Sequence, residues 1–403
     1  EQSFYPALVA LLNDQELSVA QRIGNTFVNL AKIQDQELSE NVLQGSALIE
    51  ALVEFTSEKN DDTKRCRSIE TVIRISNEDQ NIFNRYLEVG LIEAPIKLYM
   101  GDDLLLKLVA IDFMEQYGDS RWSADYLFTS IHFKNLVQEL GNPMTFPEVK
   151  SKLMLLIAKL HSHFPEPIKP YINADYLTTI LEFLHDQPTR LVAIDIVGFL
   201  GSSNEGIKDL VKNHQLTKGI LNLIHSSQDG VKAAILSILG KIFVGNAPAV
   251  SKLTGKNSGI LQEPEVMQAL KIVFYNLSDV SKYPSADSPS ASLELLTKLL
   301  DNPFDDIREN CLILFRALSR FLLFVKSLML NSDFIVFLLK RDANFSKTTM
   351  EMKYNIIENA LECQDLEPFL SETVERDFKT YVSEGPFALP GGKISQVADE
   401  FLQ

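Results

Sequence analysis

Tryptophan occurs once in the 403 residues, at Trp122, and cysteine three times, at Cys66, Cys311 and Cys363. No two cysteines stand in a CxxC or other metal-type spacing. An odd, sparse set argues against a disulfide scaffold and suits a reducing compartment. Basic residues are also in short supply. With 38 Lys and Arg against 54 Asp and Glu, 38 − 54 gives a formal charge of −16 and a pI near 4.9. No basic patch is visible, which argues against nucleic acid as the partner and leaves basic protein surfaces open. Long apolar runs are missing too. The most apolar stretch, 311–330, carries Arg316, Arg320 and Lys326, which a lipid-facing helix tolerates poorly, so no membrane span is expected. Residues 1–6 contain no basic n-region or apolar signal run.

Catalytic patterns are equally scarce. There is no GxSxG elbow, no HExxH and no phosphate-binding GxxxxGK[ST]: Gly255-Lys256-Asn257 lacks both the upstream glycine and the hydroxyl residue. Of six histidines only His161 and His163 are close, and they precede Phe164-Pro165. Metal ligation would need further ligands from elsewhere; a solvated helix C-terminus, where histidine is favoured, is the expected setting. Neither an enzyme nor a cofactor or metal site is expected. Asn276-Leu277-Ser278 and Asn344-Phe345-Ser346 match the glycosylation pattern and are read as chance.

What is present is helical periodicity. In 104–116, Leu105, Leu108, Val109, Asp112 and Phe113 recur at helical spacing, and the apolar ones are expected to form the buried stripe. Gly and Pro fall between helical segments, at 141–143, 164–167, 246–248, 282–289 and 385–386. Residues 245–264 and 281–290 read as loops inserted into an otherwise tight array.

One motif repeats. Arg65-Cys66-Arg67-Ser68-Ile69-Glu70, Lys107-Leu108-Val109-Ala110-Ile111-Asp112 and Arg190-Leu191-Val192-Ala193-Ile194-Asp195 each run basic residue, small residue three later, isoleucine, carboxylate. Weaker copies lie at 150–153, 232–235 and 308–311. The small or equivalent positions 68, 110, 153, 193, 235 and 311 differ by 42, 43, 40, 42 and 76. The last interval reads as two periods with a degenerate unit at 266–278. Acidic residues precede several copies (Asp61-Asp62, Asp102-Asp103, Asp186, Asp229, Asp305-Asp306), where carboxylates cap helix N-termini. A period near 40 built from helices and short turns predicts an all-α, armadillo/HEAT-like α-solenoid. The array is expected over 1–384, with 385–403 as a C-terminal tail. Small residues at the recurring position allow close helix crossings, which gives Cys311 a packing role.

A single tryptophan cannot form the Trp/Asn ladder of import adaptors. Glu70, Asp112 and Asp195 recur at one place in the unit, on the helix expected to be the inner one. Stacked inner helices would align them as a stripe for a partner with basic groups; the plainer alternative is a solvated face with i, i+4 pairing such as Glu70 with Arg74.

The C-terminal third adds specific motifs. Met329-Leu330-Asn331-Ser332-Asp333-Phe334 precedes an apolar helix, Lys353-Tyr354-Asn355-Ile356-Ile357 follows, and Tyr381-Val382-Ser383-Glu384-Gly385-Pro386-Phe387 closes the run. With the Gly90-Leu91 turn and Gly101-Asp102-Asp103 opening the next helix, this order of features resembles the 26S proteasome non-ATPase regulatory subunit 5 family. The likeness extends over most of the chain and is most specific at 329–387; the loop-rich 245–290 departs from it. The resemblance implies a chaperone for assembly of the base of the regulatory particle. Such a chaperone grips the C-terminal helical domain of a proteasomal ATPase subunit on its concave face and holds the large base scaffold subunit in the same intermediate. It is released before or on docking to the core particle. It also implies a monomer when free, in the cytoplasm or nucleus, with no nucleic acid, membrane, nucleotide or metal involved. Inner-helix polar residues are the expected contacts: Glu70, Arg74, Asp112, Glu115, Arg190, Asp195 and Lys241, with Arg316 and Arg320 extending the face. Another armadillo-type adaptor, such as an Hsp70 nucleotide-exchange factor or a trafficking scaffold, shares the sequence features and is the alternative.

Overall fold

The structure is a computed structural model that describes residues 4–33, 35–246, 263–284, 289–362, 370–389 and 393–394. Helices make up almost all of it; the one strand pair, Ala388–Leu389 with Lys393–Ile394, is two residues long on each side. The chain gathers into two compact units, Glu1–Tyr176 and Leu177–Gln403.

Each unit is built on a row of long helices, every one packed on the next. In the first unit the row is Leu17–Lys32, Asp62–Glu78, Leu104–Glu115 and Pro147–His163. In the second it is Arg190–Gly201, Asp229–Gly245, Asp305–Leu318 and Lys347–Glu362. Between consecutive long helices of the second row lie two shorter helices, as with Asn204–Lys212 and His214–Asn222. One long and two short helices per repeat is the armadillo-like form of the expected array. The recurring small position explains the stacking. Ser68, Ala110, Ala193 and Cys311 are buried in the long helices, and short side chains there let backbones approach; the equivalent Leu153 and Ile235 are buried too. Gly198 does the same: a Cβ added to it would stand 2.7 Å from Ile238 Cγ2 on the next helix.

Carboxylates start these helices as expected. Asp61 accepts from the Lys64 N–H and Asp103 from the Leu106 N–H, while Asp229, Asp305 and Asp306 sit in first turns. The Gly90 turn is also real. Gly90 has φ 79°, and the Leu91 N–H donates to the Tyr86 carbonyl at 2.9 Å, ending the Gln80–Glu88 helix.

Three expectations need correction. The 76-residue interval is one repeat, since Asp229–Gly245 packs directly on Asp305–Leu318. The helix Pro264–Tyr275, in the supposed degenerate unit, packs instead on Asn204–Lys212. Extra length went into the connections, where an aromatic cluster of Phe243, Phe274, Phe321 and Phe324, with centroids 5.1 to 6.2 Å apart, fills the core. The buried face of Leu104–Glu115 is Ala110, Ile111, Phe113 and Met114, whereas Leu105 is 72% exposed. That helix is apolar almost all round, so its pattern does not fix its phase. His161 is buried, because it continues the Leu153, Leu156, Leu160 face of its helix; only His163 is exposed.

Of the two expected loops, 247–262 and 285–288 lie outside the described residues. Between them, Tyr283 is buried and its hydroxyl donates to the Val211 carbonyl at 2.7 Å. Buried phenols pin the first unit in the same way: Tyr86 to Leu43, Tyr117 to Ile92 and Tyr176 to Met154. Burial pushes the pKa of all three up, because the phenolate would be desolvated. Trp122 donates from Nε1 to the Ser76 carbonyl at 2.9 Å, and Asn276 is buried, donating to the Ile272 carbonyl. Cys311 Sγ lies 3.3 Å from the Leu296 carbonyl, with burial raising its pKa; Cys363 lies outside the described residues. Among the described residues no single helix is long and apolar enough to cross a membrane. Leu322–Met329 and Ser332–Leu339 reach that length only together, and they meet at 88°.

The closing motif has a physical reason. Arg341 donates to the carbonyls of Tyr381, Gly385, Pro386 and Ala388 at 2.7 to 3.3 Å. Its guanidinium lies 3.4 Å from the Tyr381 ring centroid. Residues 385–388, expected to begin a tail, are therefore held against the last repeat. Gly385, at φ 86°, makes the turn that allows it.

Candidate interaction face

In three long helices the repeat places a carboxylate (Glu70, Asp112, Asp195) two residues beyond the buried small position, where the side chain is half-exposed. Asp112 and Asp195 side chains are each 48% exposed. Neither is free. Asp112 accepts from Lys152 and Glu115 from Lys159, both on the next long helix of the first row. In the second row, Lys241 donates to Asp195 at 3.2 Å and lies 4.8 Å from the Phe199 ring centroid. Each pair joins one repeat to the next. Glu70 and Arg74 form the i, i+4 pair, at a loose 4.0 Å.

Sequence reasoning named Asp112, Glu115, Asp195 and Lys241 but missed Lys152 and Lys159. The signal was available: the partners are separated by 40, 44 and 46 residues, one repeat period. Carboxylates in register with lysines one period on form a charge ladder, not an acidic stripe.

The other expected contacts are less alike. Arg190 turns to the end of the preceding helix, where Nε donates to the Leu184 carbonyl at 2.9 Å and Nη2 to that of His185 at 3.3 Å. A cation there satisfies terminal carbonyls and the helix dipole. Arg316 is exposed beside Met352 Sδ at 3.6 Å. Arg320 follows one turn later, its pKa lowered by burial and by the Arg316 charge. This end of the second row therefore presents two arginines close together.

Asparagines staple the C-terminal ends of the long helices. Asn77 donates to the Gln116 carbonyl, Asn246 to that of Gly201, and Asn359 to Ser319 Oγ, at 2.7, 2.8 and 2.8 Å. Among the described residues, no three His, Cys, Asp or Glu side chains stand close enough to hold a metal ion. In each unit the long helices thus carry charged side chains that are paired from one repeat to the next.

The chain matches the proteasome non-ATPase 26S subunit family over residues 2–243 and 281–398. The gap between these segments, 244–280, overlaps the loop-rich region that departs from the sequence resemblance, though the match resumes within it at 281. It is 23% identical to the 26S proteasome non-ATPase regulatory subunit 5 of Homo sapiens, over 94% of this chain and 74% of that protein. For the protein of the same name from Bos taurus the identity is 22%, with the same coverage. Among solved structures, a designed armadillo repeat protein aligns with 67% of this chain and 99% of its own, at 16% identity and a TM-score of 0.41. An engineered protein aligns with 95% of this chain and 98% of its own, at 14% identity and a TM-score of 0.42. On the extent of the family match, this chain belongs to the proteasome non-ATPase 26S subunit family.

Proposed function

We propose that this protein is a chaperone for assembly of the base of the 26S proteasome regulatory particle. The observation that carries the reading is the family match, which spans both rows of stacked helices. Relatives named as proteasome regulatory subunits support a proteasomal partner. In this reading the long-helix faces, with Glu70, Arg74, Asp112, Glu115, Asp195, Lys241, Arg316 and Arg320, hold the C-terminal helical domain of an ATPase subunit. The large base scaffold subunit joins the same intermediate. Stacked helices bind without reordering, so little entropy opposes association, and their charges set partner choice and encounter rate. The protein works by occupancy, not catalysis: while bound it covers a surface that docking to the core particle needs, and it leaves before or on docking. It acts as a monomer in the cytoplasm or nucleus and uses no cofactor.

Affinity capture of the full chain from native cytosol, read by mass spectrometry, tests this. One or two proteasomal ATPases with the large base scaffold, and no core particle, is the expected eluate. Recovery of Hsp70 or of no proteasome subunit would overturn the reading and favour a different armadillo-type adaptor.

A further inference from the structure

The first two long helices, Leu17–Lys32 and Asp62–Glu78, come close where Gly24 faces Thr71. A Cβ on Gly24 would stand 3.1 Å from Thr71 Oγ1. This contact forms part of the wall of a cleft of about 280 Å³. Gln21 and Asn25 line it from one helix, and Arg67, Glu70, Thr71 and Arg74 from the other.

The polar groups of this cleft are incompletely matched. Arg67 donates from Nη1 to the Asp14 carbonyl at 3.3 Å, but its buried Nε–H meets no acceptor among the described residues. A buried N–H without an acceptor is costly, and the Nε–H groups of Arg65 and Arg308 share that state, so the cleft is read from the charged side chains that line it. The Asp14 carboxylate is not the acceptor of the Arg67 Nε–H; Oδ1 takes the Glu16 N–H at 2.8 Å. Arg74 has Glu70 at 4.0 Å, beyond hydrogen-bonding length. Two arginines and one glutamate line the cleft, a local excess of positive charge in a chain of net −16. Guanidinium forks are matched by planar carboxylates. The exposed amides of Gln21 and Asn25 can donate to and accept from peptide groups. The volume lies just below the range of about 300–1,000 Å³ of drug-sized ligand sites, so the cleft suits one residue with its flanking peptide groups.

We propose that this cleft binds a carboxylate-bearing peptide segment, with Arg67 and Arg74 on the carboxylate and Gln21 and Asn25 on the adjoining backbone. The cleft shares Glu70 and Arg74 with the proposed ATPase-binding face, but a peptide titration needs no proteasome subunit, so failure here and failure of that reading are distinguishable. Its ligand carboxylate comes either from an acidic side chain or from a chain terminus.

The test is a titration of the full chain, labelled with ¹⁵N-arginine, followed at the arginine Nε–H resonances. One arm compares an N-acetylated, C-amidated pentapeptide with a central Asp against its Asn isostere. The second compares an N-acetylated neutral pentapeptide with a free terminal carboxylate against its amide. The expected result is a saturable shift of the Arg67 and Arg74 signals by at least one carboxylate peptide and not by its neutral twin. Arg74→Gln should weaken that binding at least threefold. Arg67→Lys, which keeps the charge and removes the fork, should weaken it at least fivefold, with an unchanged melting midpoint confirming its fold. Equal responses to charged and neutral peptides, or no response to any, would overturn the proposal, as would binding indifferent to both substitutions.

Discussion

Among the described residues of the second unit, Lys353 is the most heavily buried charged one, at 1% exposure. Its ammonium donates to the Lys340 carbonyl and lies 5.0 and 4.3 Å from the Phe337 and Phe345 ring centroids. These contacts favour the charged form. Burial opposes it, helped by the charges of Arg341 and Lys340 and only partly offset by Asp342; the balance brings its pKa down to about 7. The unfolded chain, with an ordinary lysine pKa near 10.5, therefore binds a proton that the folded chain lacks between those values. Stability should rise with pH from 7 toward 10.5 and show no contribution to the slope well below 7. Between pH 7 and 8.5 the gain should be about 1–2 kcal/mol. Raised tyrosine and cysteine pKa values act in the opposite sense only at higher pH. Urea midpoints at pH 7 and 8.5 measure the slope, and Lys353→Met should abolish most of it. A slope that survives the substitution would assign it to another group.

At the scale of a helix, the repeat was legible where residue size, not polarity, carried the information. The buried positions 68, 110, 193 and 311 were readable because a small residue inside an apolar run has few other reasons to recur. The phase of Leu104–Glu115 was not, since with apolar residues all round the helix only the neighbours decide which side is covered. The length of the 235-to-311 interval misled for a related reason: periodicity counts residues, while stacking depends on which helices touch. Gly198 tests the close-packing argument. Alanine there would gain about 1 kcal/mol of helix propensity. It would also drive a methyl to 2.7 Å from Ile238 Cγ2 and 2.8 Å from its Cβ. Such overpacking costs about 1–3 kcal/mol, so Gly198→Ala should lower the urea midpoint. Gly230, also helical, has nothing within 4 Å of an added Cβ, and Gly230→Ala should raise the midpoint modestly, by about 0.5 kcal/mol. Opposite signs from the same substitution would show that the contact, not the residue type, sets the effect.

At the scale of the molecule, the recurrence of Glu70, Asp112 and Asp195 suggested an acidic stripe, and the structure pairs Asp112 and Asp195 with lysines one repeat on. The carboxylates were legible because three repeats print one at the same place, Glu70, Asp112 and Asp195. Their partners were not sought one period away, although stacking brings residues about 40 apart to the same level. This changes what charge reversal can mean. Asp112→Lys alone would set two lysines against each other at position 152, so a loss of binding could be structural. The paired exchange Asp112→Lys with Lys152→Asp restores an ion pair of the same kind and inverts only what a partner meets. Exposed pairs contribute about 0–1 kcal/mol, and the exchange should leave the melting midpoint within a degree or two of wild type. If the face reads charge on an ATPase subunit, capture should still fall at least fivefold in the exchanged protein, and more steeply at low salt, where unscreened charges act furthest. Wild-type capture by the exchanged protein, with single reversals defective in both stability and capture, would make the ladder a device that holds repeats together and move recognition to other residues of the rows.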